Sequence, residues 1–147
     1  MSEHTAKVQW RRTSEAFDYA TYNRDHLWSF KGRHEVPASA APEYRGNPDR
    51  VDPESAFVAS LSSCHMLTFL AVCARKRFVV ESYSDEAVGY LEKNESGKLA
   101  MTRAELHPII EFSGERRPAG EELKALHELA HAECFIANSV TTKITVA

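Results

Sequence analysis

The chain contains no run of 18 or more consecutive apolar residues, so no transmembrane helix is expected. Basic clusters are also missing. Lys7-Arg11-Arg12 and Arg75-Lys76-Arg77 are short and isolated, and the net charge is −3, which argues against a nucleic-acid partner. The start, Met1-Ser2-Glu3-His4, lacks a positive segment followed by an apolar one, so no secretory signal is read there and a cytoplasmic location is expected. Cysteine is scarce, with three in 147 residues. In a reducing compartment such cysteines are read as free thiols, catalytic groups or metal ligands rather than structural disulfides. No internal repeat or low-complexity tract is present.

The length suits one domain spanning 1–147, and a hydrophobic share of 43% is enough for a core. Lys7–Arg12 and Phe17–Phe30 are rich in aromatic and β-branched residues, and Thr13-Ser14-Glu15 between them reads as a hairpin turn. Val36–Ser39 reads as a short third strand. Pro42, Gly46, Asn47 and Pro48 make Ala40 to Val51 a loop. Asp52-Pro53 combines an N-cap residue with a proline at the first helical position, and predicts a helix from Pro53 to about Arg75. That helix has almost no charged face, as a central helix buried on nearly all sides would. Phe78–Lys93 and Lys98–Phe112 read as long strands joined by a turn at Asn94-Glu95-Ser96-Gly97. Pro118 opens a second helix ending near Glu133, and Val140–Val146 alternates as a last strand. The fold class is α+β, in the order βββ-α-ββ-α-β.

Two cysteines stand at the ends of apolar helical patterns, in Ser62-Ser63-Cys64-His65-Met66 and Glu133-Cys134-Phe135-Ile136. If the fold joins them, they form a thiol pair able to attack, oxidise and close a disulfide. A reactive Cys64 needs a lowered pKa, and an arginine is a natural cause. No arginine lies within a helical turn of it, which leaves Arg11, Arg12 and Arg24 of the N-terminal hairpin as candidates. The bland alternative for Cys64 is a small buried hydrophobe. Cys73, nine residues on, points to the opposite side of the helix and fits that alternative better. Glu54 stands ten residues before Cys64, about 15 Å along the axis, so it can serve a thiol site only on a second subunit. Otherwise it is a first-turn acid favoured by the helix dipole.

His127-Glu128-Leu129-Ala130-His131 matches the H-E-x-x-H zincin pattern, with two histidines on one helical face and a glutamate as general base. None of the residues from Phe135 to Ala147 is His, Asp, Glu or Cys, so a third ligand from a later segment is lacking. A zinc hydrolase is therefore the lesser alternative, and His127 and His131 are otherwise polar residues packed at a helix face, either of which could lie near Cys134. His65 points about 100° away from Cys64 on the helix and is not read as its base. Met66 and Phe69 read as core.

Asp52-Pro53-Glu54 opening a buried helix, Ala59 to Cys64 ten residues on, and Ala130 to Ser139 around Cys134 together resemble the OsmC/Ohr family (osmotically inducible protein C and organic hydroperoxide resistance protein). The element order agrees over nearly the whole chain. The resemblance implies an OsmC-like intertwined homodimer with two sites at the subunit interface and the central helices buried together. It implies thiol-dependent reduction of organic hydroperoxides, with Cys64 as peroxidatic thiol and Cys134 as resolving thiol. A dithiol reductant (a lipoyl group or small thiol) would reopen the disulfide, and no metal, flavin or haem cofactor would be needed. Glu54 matches the family's glutamate, and Arg24, ahead of Arg12, its arginine. The chain departs from the hydroperoxide-resistance branch in having His65 after the first cysteine and Phe135 after the second. A non-catalytic member binding a small apolar ligand is the main alternative. Phe57, Leu61, Met66, Leu67, Phe69 and Phe135 are the residues expected to line an apolar pocket.

Overall fold

A computed structural model describes all 147 residues and gives eight strands and two α-helices. Contacts divide the chain into two compact units, Met1–Ala56 and Phe57–Ala147, with the first helix running across the division.

The first unit holds an antiparallel sheet of β1 (Lys7–Gln9), β2 (His26–Phe30) and β3 (His34–Ala38), in that order. Lys7 faces Ser29, and His26 faces Ala38. The hairpin differs from the sequence expectation, because residues 10–25 form a long loop in place of a tight turn at Thr13-Ser14-Glu15. Asn23 ties that loop together. Its Oδ1 accepts the Thr13 N–H at 2.8 Å, its Nδ2 donates to the Arg11 carbonyl at 2.9 Å, and its own carbonyl accepts the Trp10 indole N–H at 2.7 Å. The alternation at Phe17, Tyr19 and Thr21 that suggests a strand has separate origins: Phe17 joins an aromatic cluster, 6.0 Å from Trp10 and 5.2 Å from Tyr22, Tyr19 faces the Arg24 guanidinium, and Thr21 bonds to Asp18. After β3, a 3-10 turn at Pro42–Tyr44 and a bridge between Ala38 and Val51 bring the chain to the helix start.

Helix α1 spans Pro53–Arg75, as its Asp-Pro start predicts. Asp52 caps it, accepting the Ser55 N–H at 2.8 Å and the Ser55 hydroxyl at 2.9 Å. By length and composition the helix could cross a membrane, with a mean hydropathy of 1.7. Within one chain only a single stripe is buried: Leu61, His65, Phe69, Val72 and Cys73, at helical spacing. Leu67, on another face, is 61% exposed.

The second unit carries β4 (Val79–Asp85), β5 (Val88–Lys93), β6 (Leu99–Leu106), β7 (Pro108–Ser113), α2 (Glu121–Glu133) and β8 (Lys143–Val146). The two long strands expected from sequence are each broken in two. β4 pairs with β7, while β5 pairs with β6, which β8 joins in parallel on its other edge. Pro108 cannot donate to a ladder, which favours a break before it. The His107 N–H freed at that break is taken by Asp85 Oδ1 at 2.6 Å. Asp85 Oδ2 accepts the Ser62 hydroxyl, so one carboxylate joins the end of β4 to α1. Helix α2 lays Leu126 and Ala130 against Phe69, Val72, Cys73 and Phe78 to make the core of this unit.

Candidate active site

Cys64 lies on α1 next to His65 of the buried stripe and is half-buried, whereas Cys134 is buried where α2 ends. The structure brings the two together, close enough for each thiol to shift the titration of the other. Local backbone geometry explains how. At Cys134 the chain leaves the helix with φ −70° and ψ 116°, and a 3-10 turn follows at Ala137–Ser139. The turn is held by the Asn138 N–H on the Cys134 carbonyl at 3.0 Å, the Ser139 hydroxyl on the Phe135 carbonyl at 2.7 Å, and the Asn138 amide on the Ala132 carbonyl at 3.1 Å. This bend directs the backbone N–H groups of Phe135 and Ile136 at the Cys64 sulfur. The Thr68 hydroxyl, one turn along α1, lies beside the same sulfur and donates to the Cys64 carbonyl at 2.8 Å.

The electrostatics distinguish the two thiols. Burial pushes the Cys64 pKa upward, but hydrogen bonds from Cys134, Ile136, Phe135 and Thr68 outweigh it, so the thiol titrates below its ordinary value. Burial pushes the Cys134 thiol up, and donation to Cys64 pushes it up further, with the Ala137 N–H on its sulfur at 3.4 Å acting weakly against both. Of the two, Cys64 is thus the thiol that loses its proton more readily and Cys134 the one that keeps it. All the groups that lower Cys64 are neutral donors, and two of them are backbone N–H groups. Those two resemble the small nests of N–H groups that hold anions elsewhere. Cys73 is fully buried in the core, with its pKa pushed up to about 11 by burial, and it stays out of the pair.

The other residues singled out from sequence lie elsewhere. Arg24 belongs to the first unit, where its guanidinium stacks 3.5 Å over the Tyr22 ring and donates to the carbonyls of Tyr22 and Tyr19. Arg12 donates to the carbonyls of Ser14 and Glu15. Glu54 is in the first turn of α1, where burial and then the neighbouring Asp52 raise its pKa. Of the residues expected to line an apolar pocket, Leu61 and Phe69 are interior, whereas Leu67 and Phe135 are exposed. A cavity of about 600 Å³ does lie in the second unit, but Ile110, Phe112, Leu123, His127, Ile144 and Val146 are among its walls.

The H-E-x-x-H pattern turns out to be split. The His127 ring faces inward, where its Nδ1 lies 3.0 Å from Nε2 of His65, and His131 is exposed. No three His, Cys, Asp or Glu side chains are grouped so as to hold a metal ion. Thr68 and the Phe135 and Ile136 amides were not singled out from sequence. The i, i+4 spacing of Cys64 and Thr68 could have revealed the first, and no sequence signal reveals the amides.

Comparison with known proteins adds to this geometry. A family model described as OsmC-like protein matches residues 46–147. A solved OsmC-like protein of unknown function from Vibrio cholerae is 49% identical, covers 100% of this chain and 99% of its own, and superposes with a TM-score of 0.95. An organic hydroperoxide resistance protein from Elizabethkingia anophelis is 21% identical over 99% of this chain and 94% of its own, with a TM-score of 0.70. The organic hydroperoxide resistance protein OsmC of Legionella pneumophila is 18% identical over 99% and 97%, with a TM-score of 0.69. At those two identities the likeness is one of fold. Among curated protein sequences there is no significant match.

Proposed function

The chain belongs to the OsmC-like protein family, and on that footing we propose that it is a thiol-dependent peroxidase acting on organic hydroperoxides. The observation that carries this reading is the meeting of Cys64 and Cys134 in one site, on α1 and just past α2, with the two thiols shifted in opposite directions, Cys64 down and Cys134 up. The Cys64 thiolate attacks the O–O bond and takes one oxygen, becoming a sulfenic acid, while the other oxygen leaves as an alkoxide and picks up a proton to give the alcohol. The Cys134 sulfur then attacks the Cys64 sulfur, water leaves, and a disulfide forms. A dithiol reductant returns both thiols, its own sulfurs becoming the disulfide. The N–H groups of Phe135 and Ile136 hold the thiolate before attack.

The fold's hydroperoxide-resistance relatives support organic peroxides as substrates. A homodimer completes the reading, because α1 leaves an apolar face around Leu67 exposed in one chain. Glu54 then acts at the partner's thiol site, and Arg24 is the activating arginine by family resemblance. Thiol chemistry of this kind suits a reducing, cytoplasmic setting.

The test is mass and peptide mapping of the reduced protein after one equivalent of cumene hydroperoxide. Loss of the two thiol hydrogens, mapped to a Cys64–Cys134 link, supports the proposal. Unchanged thiols overturn it and favour the second reading, a binding protein for a small apolar molecule, for which the cavity walled by Ile110, Phe112, Leu123, Ile144 and Val146 speaks.

A further inference from the structure

His65 and His127 are 62 positions apart in sequence and meet inside the second unit, Nε2 to Nδ1 at 3.0 Å, with ring planes 7° from parallel. His65 is 2% exposed. His127 is also stacked on Phe69, one turn along α1 from His65, with ring centroids 4.4 Å apart. The α2 ring is thus held between two α1 residues at i, i+4 spacing. The pair stands on the same two helices as the thiols. His65 follows Cys64 directly, and His127 precedes Cys134 by seven residues, two helical turns, on the same face of α2.

Such a bridge has strict requirements. A 3.0 Å contact between two ring nitrogens needs one hydrogen between them, so one ring donates and the other accepts. Both rings are kept neutral by burial, which lowers His65 to about 4 and His127 also below its ordinary value. His131 and His127 on α2 oppose charge on His65, and Asp85 at the end of β4 favours it. A lone polar ring here costs more than an apolar residue, because its partner is left buried and unpaired. Apart from a solvent-exposed Arg75–Glu133 ion pair at 3.6 Å, of the kind worth little in water, α1 and α2 otherwise touch through apolar side chains, which can slide against one another. The histidine bridge is directional and fixes where the two stripes stand in register. That register decides whether the turn beginning at Cys134 reaches Cys64.

We propose that His65 and His127 are positioning residues for the Cys64–Cys134 pair, their single hydrogen bond setting the register of α2 on α1 that brings the two sulfurs together. This deepens the redox function proposed above and rests on that pair being able to close a disulfide.

The experiment equilibrates the full-length protein with mixtures of reduced and oxidised dithiothreitol at neutral pH, followed by alkylation and mapping of the Cys64–Cys134 link. In this exchange the cyclic disulfide of the reagent breaks, the protein disulfide forms, and two hydrogens and two electrons pass to the reagent. No peroxide is involved, so a protein inert to peroxide but poised against dithiothreitol sinks the peroxidase reading and leaves this one standing. His127→Ala removes the bridge and should lower the equilibrium constant for disulfide formation by about tenfold, the scale of one buried hydrogen bond. In His127→Asn the amide reproduces the place of Nδ1, and the constant should return to within about twofold of wild type. Val72→Ala, a cavity in the same core away from the thiols, gives the effect of lost packing alone and should leave the constant unchanged. If His127→Ala does not fold, His65→Gln, whose amide takes the place of Nε2, is compared with His65→Ala in the same way. A wild-type constant in His127→Ala overturns the proposal. So do equal losses in the alanine and amide variants, or the absence of any Cys64–Cys134 link in the most oxidising mixture.

Discussion

The Cys134 thiol lies at the Cys64 sulfur, and the pair is asymmetric: hydrogen bonding lowers the Cys64 pKa against the effect of burial, whereas burial and then Cys64 itself raise that of Cys134 although the Ala137 and Ile136 N–H groups act on it. A symmetric pair of thiols would share one proton and leave the attacking sulfur undetermined. Here the segment that carries the second thiol also carries the groups that make the first one nucleophilic.

Replacing the two cysteines should therefore give different results. Cys64→Ser should abolish peroxide turnover. Cys134→Ser should permit a single stoichiometric oxidation, leaving a sulfenic acid at Cys64 that dimedone traps and mass spectrometry detects. Full turnover by Cys64→Ser is the result that would sink the mechanism.

Thr68→Val removes one neutral donor beside Cys64 and keeps the side-chain shape. The thiol pKa should rise toward its ordinary value, with alkylation at neutral pH slowed by about two- to fivefold and the curve shifted to higher pH. Absorbance at 240 nm against pH, recorded for wild type and variant, measures it. Coincident curves would remove Thr68 from the site.

Acid should destabilise the fold through His65. Burial lowers its pKa from the model-peptide value of 6.5 to about 4 in the folded chain. The unfolded chain therefore takes up a proton first as pH falls. The stability this ring contributes is complete above the unfolded pKa and is lost between the two values, by roughly 3 kcal/mol at about 1.4 kcal/mol per pH unit. Urea unfolding at several pH values should show this slope, and His65→Gln should flatten it. An unchanged slope in the variant would count against the assignment.

Gly46→Ala should disrupt the first unit. A Cβ there would stand 1.6 Å from the Ala40 carbonyl oxygen, which is backbone and cannot swing aside. The Gly46 N–H donates to the nearby Ala41 carbonyl at 3.1 Å, so the loop is fixed from both sides. A loss of about 2–4 kcal/mol is expected, visible as a lowered thermal midpoint. A midpoint like that of wild type would show that the loop can open at little cost.

If Glu54 acts across a subunit interface, mixing Cys64→Ser with Glu54→Gln chains should restore some active sites. Verified heterodimers without any rescue would place Glu54 outside the chemistry.

The sequence was most informative where one residue determines a backbone outcome. Asp52-Pro53 located the start of α1, and Asn94 to Gly97 located the turn between β5 and β6. It misled where a pattern has two physical origins. Phe17, Tyr19 and Thr21 alternate like a strand, but Phe17 serves an aromatic cluster, Tyr19 an arginine and Thr21 a local turn, in a loop tied by Asn23. In the second long strand, Lys98–Phe112, the missing N–H of Pro108 is the local signal of the break between β6 and β7. At the site, the two cysteines carried a signal because few other residue types do thiol chemistry. The donors around Cys64 carried little or none, since two of them are backbone groups whose direction depends on the turn after α2. The meeting of His65 and His127 depends on how two helices pack, which no local pattern encodes.

The parallel pairing of β8 with β6 has a consequence for the order of assembly. Arg103 pairs with Lys143 across about forty residues of chain, whereas the β5–β6 hairpin closes over the short turn between Lys93 and Leu99. Closure of the larger loop is the slower step. The turn that begins at Cys134 lies between α2 and β8, so it settles only when both flanks have docked. A chain emerging during synthesis thus presents Cys64 well before its partner arrives. In that interval the sulfur lacks both its donors and its resolving thiol, and a stray oxidant or foreign disulfide meets it unguarded.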